Sequence, residues 1–393
     1  MRIAIVSDYY YPQLGGITEQ VHGQATALTR RGHQVTVITP KVMVTPSTVD
    51  GANLPGRDFD VVRVGTAWPA YGNGAETLVS IDPRIPLRLR QLLAPGRFDL
   101  VHIHNPFGVA LPMLAALAAR DTPTVGTLHS VVPSDYRPLR WARRPLHHVL
   151  SRLDARVTVS DAVVESIGPH FPDLEFRTIP NGIDTRFFTP DAPPLPDLGD
   201  RRNIVFVGRF DPRNGVKTMI RAFTLLHTTH PDVRLVIVGD GPLRPMVERL
   251  VPAHLREHVT FAGRVNQLRP RYLASASVLC TPCSLASFGM VLLEGMSAGL
   301  PVVASRISGF RLVMRDGVDG LMVDRADDER GFAAALARLL DDPALAAEMG
   351  AAGRSRAVET FGWPVVTDQL EALYSELVSS KAPARRIRLL QAA

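Results

Sequence analysis

The 393-residue chain is poor in cysteine, lysine and tryptophan and has no long hydrophobic run. Each shortage excludes something. Two cysteines, Cys280 and Cys283, cannot build a disulfide framework, so a reducing cytosol is the expected compartment. Their spacing in "CTPC" suits a redox pair. It overlaps a strand end, however, and structural zinc would need two more ligands, so both are expected to be packing residues. The longest apolar stretch, "GVALPMLAALAA", is about 12 residues, against roughly 18–20 for a membrane span. "MRIAIVSD" turns polar at Asp8, too early for a secretory leader. Lysine occurs only at Lys41, Lys217 and Lys381, so arginine carries nearly all the positive charge. The net charge of +6 is too small for a dedicated nucleic-acid binder, and no nucleic-acid partner is expected. The Gly-x-Gly-x-x-Gly fingerprint is missing, which speaks against an ordinary dinucleotide site. No repeat has a solenoid period.

What is present is an alternation of short β-branched runs and helical patterns, in two series. "RIAIVS", "QVTVIT", "DVVRVG", "DLVHIH", "PTVGTLH" and "ARVTVS" make the first; "NIVFVG", "VRLVIVG", "HVTFAG", "SVLCTP", "LPVVAS" and "GLMVD" make the second. This rhythm predicts an α/β protein of two doubly wound parallel-sheet, Rossmann-like domains. The first is expected over 1–188 and the second over 203–362. The Pro- and Asp-rich stretch 189–202 is expected to link them, and a helix over 363–380 to cross back to the first domain. A basic tail, 381–393, follows. Ligands of such sheets bind at the carboxyl ends of the strands, so a cleft between the domains is the expected site.

Three stretches carry candidate chemistry. "SDYYYPQLGGITEQ" follows the first strand, with Gly15 and Gly16 before a helix whose expected N-cap is Thr18. It reads either as a close backbone approach to an anion or as a plain turn. "VGRFDPRNGVKTMIRAF" repeats the arrangement in the second series. Arg209 ends a strand, and Arg213 and Lys217 flank a helix start near Gly215. Cations beside a helix start suit a diphosphate; a solvated basic loop is the other reading. In "SLASFGMVLLEGMSAGLPVVAS" a lone acid, Glu294, is expected about two turns into a helix. It needs a partner: either vicinal hydroxyls, as on a ribose, or a core arginine.

In this order, together with "DLVHIHNP", "TLHS", "IPNGID" and "SGFRLVMRDGVDGLMV", these stretches resemble the retaining glycosyltransferases of family 4, which have the GT-B fold. The last is closest to the phosphatidylinositol mannosyltransferases. The resemblance covers nearly the whole chain. It implies that Glu294 holds the donor ribose, that Arg209 and the backbone N–H of Gly16 bind the donor diphosphate, and that His129 sits near the anomeric carbon as the catalytic residue. It implies that Phe288, Gly289 and Met290 face the donor sugar, and that Arg264 and Val265 border the nucleobase. It implies a front-face reaction, in which the leaving diphosphate helps deprotonate the incoming hydroxyl. The co-substrate would be a nucleotide-diphosphate sugar, first GDP-mannose and second a UDP-sugar such as UDP-glucose. The acceptor would be a lipid or glycoconjugate hydroxyl. No prosthetic group or metal is expected; "DFD" at 58–60 begins a strand away from the expected site.

Two positions depart from that family. It usually has Glu eight residues before Glu294, where this chain has Ala286. It usually has Lys five residues after the strand-end arginine, where this chain has Asn214; Arg213 or Lys217 is expected to supply the charge. Two rival readings follow: a nucleotide-sugar-binding subunit without turnover, and a nucleotide-sugar epimerase on the same fold. The segment 137–156 carries six arginines against one aspartate. It reads as a basic amphipathic helix in which Arg140, Trp141, Arg143 and Arg144 contact an anionic membrane on its cytoplasmic face, or as a helix packed inward with an arginine-rich solvent face.

Overall fold

The computed structural model describes residues 1–393 except 43–54, 73–74, 81, 109, 120, 133–136, 200 and 392–393. For 69–72, 75–78, 137, 138, 140 and 382–391 it describes the backbone alone. Residues 1–182 and 363–393 form one unit, and residues 183–362 a second.

The first unit contains, in order, β1 (Arg2–Val6), α1 (Gly16–Arg30), β2 (Gln34–Val42), β3 (Asp60–Gly72), β4 (Ala75–Ser80), α2 (Ile85–Leu92), β5 (Leu100–His104), α3 (Leu111–Ala118), β6 (Thr124–Leu128), α4 (Arg137–Leu150), β7 (Ala155–Thr158), α5 (Asp161–Ile167) and β8 (Arg177–Thr178). The sheet order is β4-β3-β2-β1-β5-β6-β7-β8, parallel except between β3 and β4. The second unit contains β9 (Asn203–Val207), α6 (Val216–His227), β10 (Arg234–Val238), α7 (Arg244–Arg249), β11 (Val259–Gly263), α8 (Arg269–Ala274), β12 (Val278–Thr281), α9 (Met290–Ser297), β13 (Val302–Ser305), β14 (Gly320–Val323), α10 (Glu329–Asp341) and α11 (Pro343–Phe361). Its sheet is parallel throughout, in the order β11-β10-β9-β12-β13-β14.

The central strands are buried on both faces, and β5, β6 and β9 are buried at every residue. Burial on both faces explains why they read as continuous runs instead of alternating. The last helix, α12 (Trp363–Gln391), counts with the first unit. Its Val366, Leu370, Leu373, Tyr374 and Leu377 join the core of β1, β2 and α1. The i, i+4, i+7 spacing of the first three puts them on one helical face, and each buried leucine contributes about 2 kcal/mol. Trp363 anchors this return because Gly23 and Gly182 lack side chains. A Cβ on Gly23 would lie 2.4 Å from the indole, and one on Gly182 would lie 2.5 Å from it.

Several expectations change. The division falls after Gly182, so 183–188 lie with the second unit. The stretch 189–202 is packed and is no free linker. Leu198 is buried, the Leu195 N–H donates to Ser275, and Arg271 donates to the carbonyls of Pro193 and Pro194. Helix α1 starts at Gly16 with Gly15 at its N-cap, three residues before the expected N-cap Thr18. Glu294 is the fifth residue of α9, little more than one turn in. Strands β4 and β8 were not foreseen. Of the tail, Lys381 donates to Asp154 at 2.7 Å, and the side chains of 382–393 lie outside the described residues.

Candidate functional site

In an open parallel sheet, ligands bind where the strand order reverses, just beyond the carboxyl ends. In the first unit that point lies between β1 and β5, so the loops entering α1 and α3 flank it. In the second it lies between β9 and β12, so the loops entering α6 and α9 flank it. The candidate residues of each unit belong largely to these loops.

In the second unit, Arg209 follows β9 and lies 3.0 Å from the carboxylate of Asp211; Arg213 lies 3.2 Å from the same carboxylate. Asp211 is buried, which pushes its pKa up. The hydrogen bonds and charges of Arg213 and Arg209 outweigh that and hold it below the usual range. One acid thus gathers two guanidinium groups. Asn214 donates to the Arg209 carbonyl at 2.8 Å, fixing the loop from inside. Gly215 then turns the chain at φ 75, and a Cβ there would lie 1.8 Å from the carbonyl oxygen of Pro282. Only glycine fits this contact, which brings the β9 and β12 loops together. The Ser284 N–H donates to the Arg213 carbonyl at 2.7 Å across the same junction. Lys217 is exposed in the first turn of α6.

Helix α9 starts after Gly289 (φ 100), whose missing Cβ leaves room for the Phe310 ring. Phe288 is buried with its ring against Phe361, and Met290 is half-buried. Glu294 is buried, and its Oε1 lies 3.1 Å from the guanidinium of Arg269. The core-arginine reading is therefore observed. A carboxylate offers about four acceptor sites, so this ion pair does not exhaust it. Arg264 is exposed and Val265 half-buried in the loop after β11. Cys280 and Cys283 are both buried, and burial raises both thiol pKa values.

In the first unit, Gly15 and Gly16 have open space where a side chain would be. His129, just past β6, is nearly buried and is one of three stacked imidazoles. His102 and His104 lie 4.7 Å apart between ring centroids, and His104 and His129 lie 5.0 Å apart. His104 Nδ1 and His129 Nε2 are 2.8 Å apart. Burial lowers all three: His102 to about 3, His129 to about 4, and His104 well below the ordinary value, with neighbouring rings adding to the shift on His102 and His104. All are neutral at pH 7. Asn105, at φ 51, accepts from the His129 N–H through Oδ1 at 3.1 Å. A non-glycine residue there is uncommon and marks a held conformation. The stack borders a cavity of about 20 Å³ that also touches Gln20, Pro180, Gly182 and Trp363. Asp8, after β1, is buried and accepts from Ser80 at 3.0 Å; burial pushes its pKa up to about 8.

In α4, Leu139, Val149 and Leu150 are buried, as is Leu153 beyond it, whereas Trp141, Arg143 and Arg144 are exposed. The apolar face therefore packs inward, and Trp141, at 89% exposure, is what the helix offers outward. The Arg140 side chain lies outside the described residues. No described helix is long and apolar enough to cross a membrane. Among the described residues no three His, Cys, Asp or Glu side chains gather as a metal site requires, and Asp58 and Asp60 join no such group.

Sequence reasoning passed over Asp8, Asn105, Arg269 and Asp211 as site residues. The signals were there for two of them. Asp211 sits between two arginines, and "HNP" at a strand end marks a left-handed asparagine.

Comparison with known proteins completes the assignment. The model described as Glycosyltransferase Family 4 matches residues 14–187, and that described as Glycosyl transferases group 1 matches 201–342. A phosphatidyl-myo-inositol mannosyltransferase of Mycolicibacterium smegmatis is 34% identical over 95% of this chain and 93% of its own. A glycogen synthase of Mycobacterium tuberculosis is 32% identical over 95% and 94%. Among solved structures, a sucrose-phosphate synthase of Thermosynechococcus elongatus superposes with TM-score 0.74 at 22% identity, covering 96% of this chain and 99% of that one. Anabaena HepE in complex with UDP and glucose superposes with TM-score 0.74 at 19% identity, covering 96% and 100%. The fold is GT-B, with two parallel-sheet α/β domains. The chain belongs to the family 4, group 1 glycosyltransferases, and its relatives include mannosyltransferases.

Proposed function

We propose that this glycosyltransferase moves mannose from GDP-mannose, with retention, to a hydroxyl of a lipid or glycolipid acceptor. The observation that carries the reading is the switch point of the second unit. There two guanidinium groups gathered by Asp211 sit on the loop that adjoins the start of α9, the helix that carries the buried Glu294. Arginines and a helix N-terminus neutralise a diphosphate, and a carboxylate accepts from ribose hydroxyls. Arg209, Arg213 and Lys217 would hold the diphosphate, with Gly16 approaching through its backbone. Phe288, Gly289 and Met290 would line the sugar, and Arg264 and Val265 the base. His129, neutral and nearly buried, would hydrogen-bond near the reacting carbon rather than carry charge. Mannose is chosen because relatives at 29–34% identity bear the name phosphatidyl-myo-inositol mannosyltransferase.

A UDP-sugar is the second reading, because Ala286 stands where the family usually has an acid that contacts donor-sugar hydroxyls, so the sugar pocket departs from the family pattern. The exposed Trp141, Arg143 and Arg144 support contact with an anionic membrane surface, where the lipid acceptor would reside.

The test is a thermal titration of the protein with GDP and UDP, beside Glu294→Ala. At 100 times its dissociation constant a ligand stabilises by roughly 2.7 kcal/mol. Stabilisation by GDP, lost in the variant, supports the mannosyl reading. Stabilisation by UDP moves the donor to a UDP-sugar. A folded protein indifferent to both defeats the transferase reading and favours a site dismantled at Ala286 and Asn214. Tight binding with neither transfer nor donor hydrolysis would favour the silent-subunit alternative.

A further inference from the structure

The three stacked imidazoles can be resolved proton by proton, starting from the interior. The side-chain amide nitrogen of Gln24, a donor only, lies 2.9 Å from both His102 Nδ1 and the Tyr374 hydroxyl; that hydroxyl lies 2.5 Å from the same Nδ1. With donors on this side, His102 Nδ1 is an acceptor. Its proton therefore sits on Nε2, which donates to Thr127 Oγ1 at 2.6 Å. His102 touches His104 only by stacking, so it passes no proton to the next ring.

Between His104 Nδ1 and His129 Nε2, 2.8 Å apart, one nitrogen must donate. His104 Nε2 is buried and has no hydrogen-bond partner among the described residues. If His129 donated, neutral His104 would carry its own proton on Nε2. That would bury an N–H with no protein acceptor. Orphaned buried donors are rarer than under-satisfied acceptors, so the lone pair belongs on Nε2. The adjoining cavity of about 20 Å³ has room for one water. A water there can donate to that lone pair or accept from an Nε2–H, so it favours neither tautomer, and the preference rests on the protein groups alone.

We propose that His104 is a positioning residue: it donates from Nδ1 to His129 Nε2 and so holds His129 as the tautomer protonated on Nδ1. Asn105 completes the clamp by accepting from the His129 backbone N–H. His129 then meets a ligand oxygen as a hydrogen-bond donor through Nδ1, and in the resting protein it is not a base. The consequence for transfer rests on the function proposed above; the tautomer does not.

The test is nuclear magnetic resonance of the full chain labelled with ¹⁵N-histidine, reading long-range nitrogen–proton couplings at pH 7 without ligand. His129→Gln identifies the His129 signals. The expected spectrum shows His129 protonated on Nδ1 in the wild type. In His104→Leu the proton redistributes to Nε2. In His104→Asn, whose amide nitrogen occupies the place of Nδ1, the wild-type tautomer returns. With donor and acceptor, His104→Leu is expected to lower kcat about tenfold with the donor KM within about twofold, and His104→Asn to recover most of the loss. A wild-type His129 protonated on Nε2 overturns the proposal, and that spectrum decides even if His104→Leu does not fold. An unchanged tautomer in a folded His104→Leu also overturns it. The expected tautomers in a protein that transfers sugar from neither donor would sustain the proposal and remove the transferase reading instead.

Discussion

Arg269 holds Glu294 by an ion pair, Nη1 to Oε1 at 3.1 Å, with the carboxylate almost wholly buried. Removing the cation from a buried carboxylate costs about 3–5 kcal/mol. Arg269→Ala is therefore expected to destabilise the protein by that order. The double variant Arg269→Ala with Glu294→Gln should cost clearly less than the sum of the singles. Urea unfolding of the three variants measures this, and strict additivity would show that the pair is not coupled.

Gly16 has open space around its missing Cβ, unlike Gly215, whose Cβ would strike a backbone carbonyl. Gly16→Val is expected to fold with its melting temperature little changed. If the diphosphate approaches this backbone, the variant should lose at least about tenfold in donor affinity. Gly215→Ala should lower the melting temperature itself. Wild-type affinity in Gly16→Val would remove Gly16 from the donor site.

The buried imidazoles make the protein acid-sensitive. Burial lowers His102 to about 3 and His129 to about 4 from 6.5, and lowers His104 as well. Between pH 6.5 and about 4 the unfolded chain binds protons that the folded chain refuses. The contribution of these neutral rings is thus complete above pH 6.5 and is lost as pH falls toward 4. Melting temperature should drop steeply over that interval, with net proton uptake on unfolding at pH 5.5. Absence of proton uptake would show that the rings are not buried in neutral form.

Asp8 works in the opposite sense. Burial raises its pKa to about 8 from 3.8, so between those values the folded chain keeps a proton that the unfolded chain has released. Its contribution is complete below pH 4 and declines as pH rises through 8. Asp8→Asn should abolish this decline and be more stable than wild type at pH 8, by a few kcal/mol. Equal stabilities at pH 8 would mean that the carboxyl ionises at little cost.

Exposed Trp141, Arg143 and Arg144 offer a test of membrane contact that is independent of catalysis. Each basic side chain near an anionic surface contributes about 1 kcal/mol. Reversing Arg143 and Arg144 to Glu should weaken binding to vesicles containing phosphatidylserine by more than about tenfold, with melting temperature little changed. Unaltered binding would exclude this helix as the contact.

The strands that build both switch points were readable because burial on two faces leaves uninterrupted β-branched runs, as in β1 and β9. Strand β8, with two residues, carries no such pattern. The proline-rich stretch before β9 reads as a linker by composition. It packs because Arg271 and Ser275, over 70 residues away, meet its backbone. In α4, periodicity showed an apolar face but not what covers it; the interior of the first unit does.

The sequence by itself determined the two parallel sheets, the family and the loops that carry the candidate chemistry. These follow from local signals: hydrophobic runs, glycines at helix starts, and arginines within a few residues of one another. Only the tertiary structure decided which partners those residues have. Arg269 reaches Glu294 from another helix, and Tyr374 closes on His102 from 272 residues away. His104 meets His129 because parallel pairing of β5 with β6 sets His104 beside Thr127, two residues before His129. Register and helix docking act over the whole chain, and no local pattern encodes the one nitrogen that must give its proton to another.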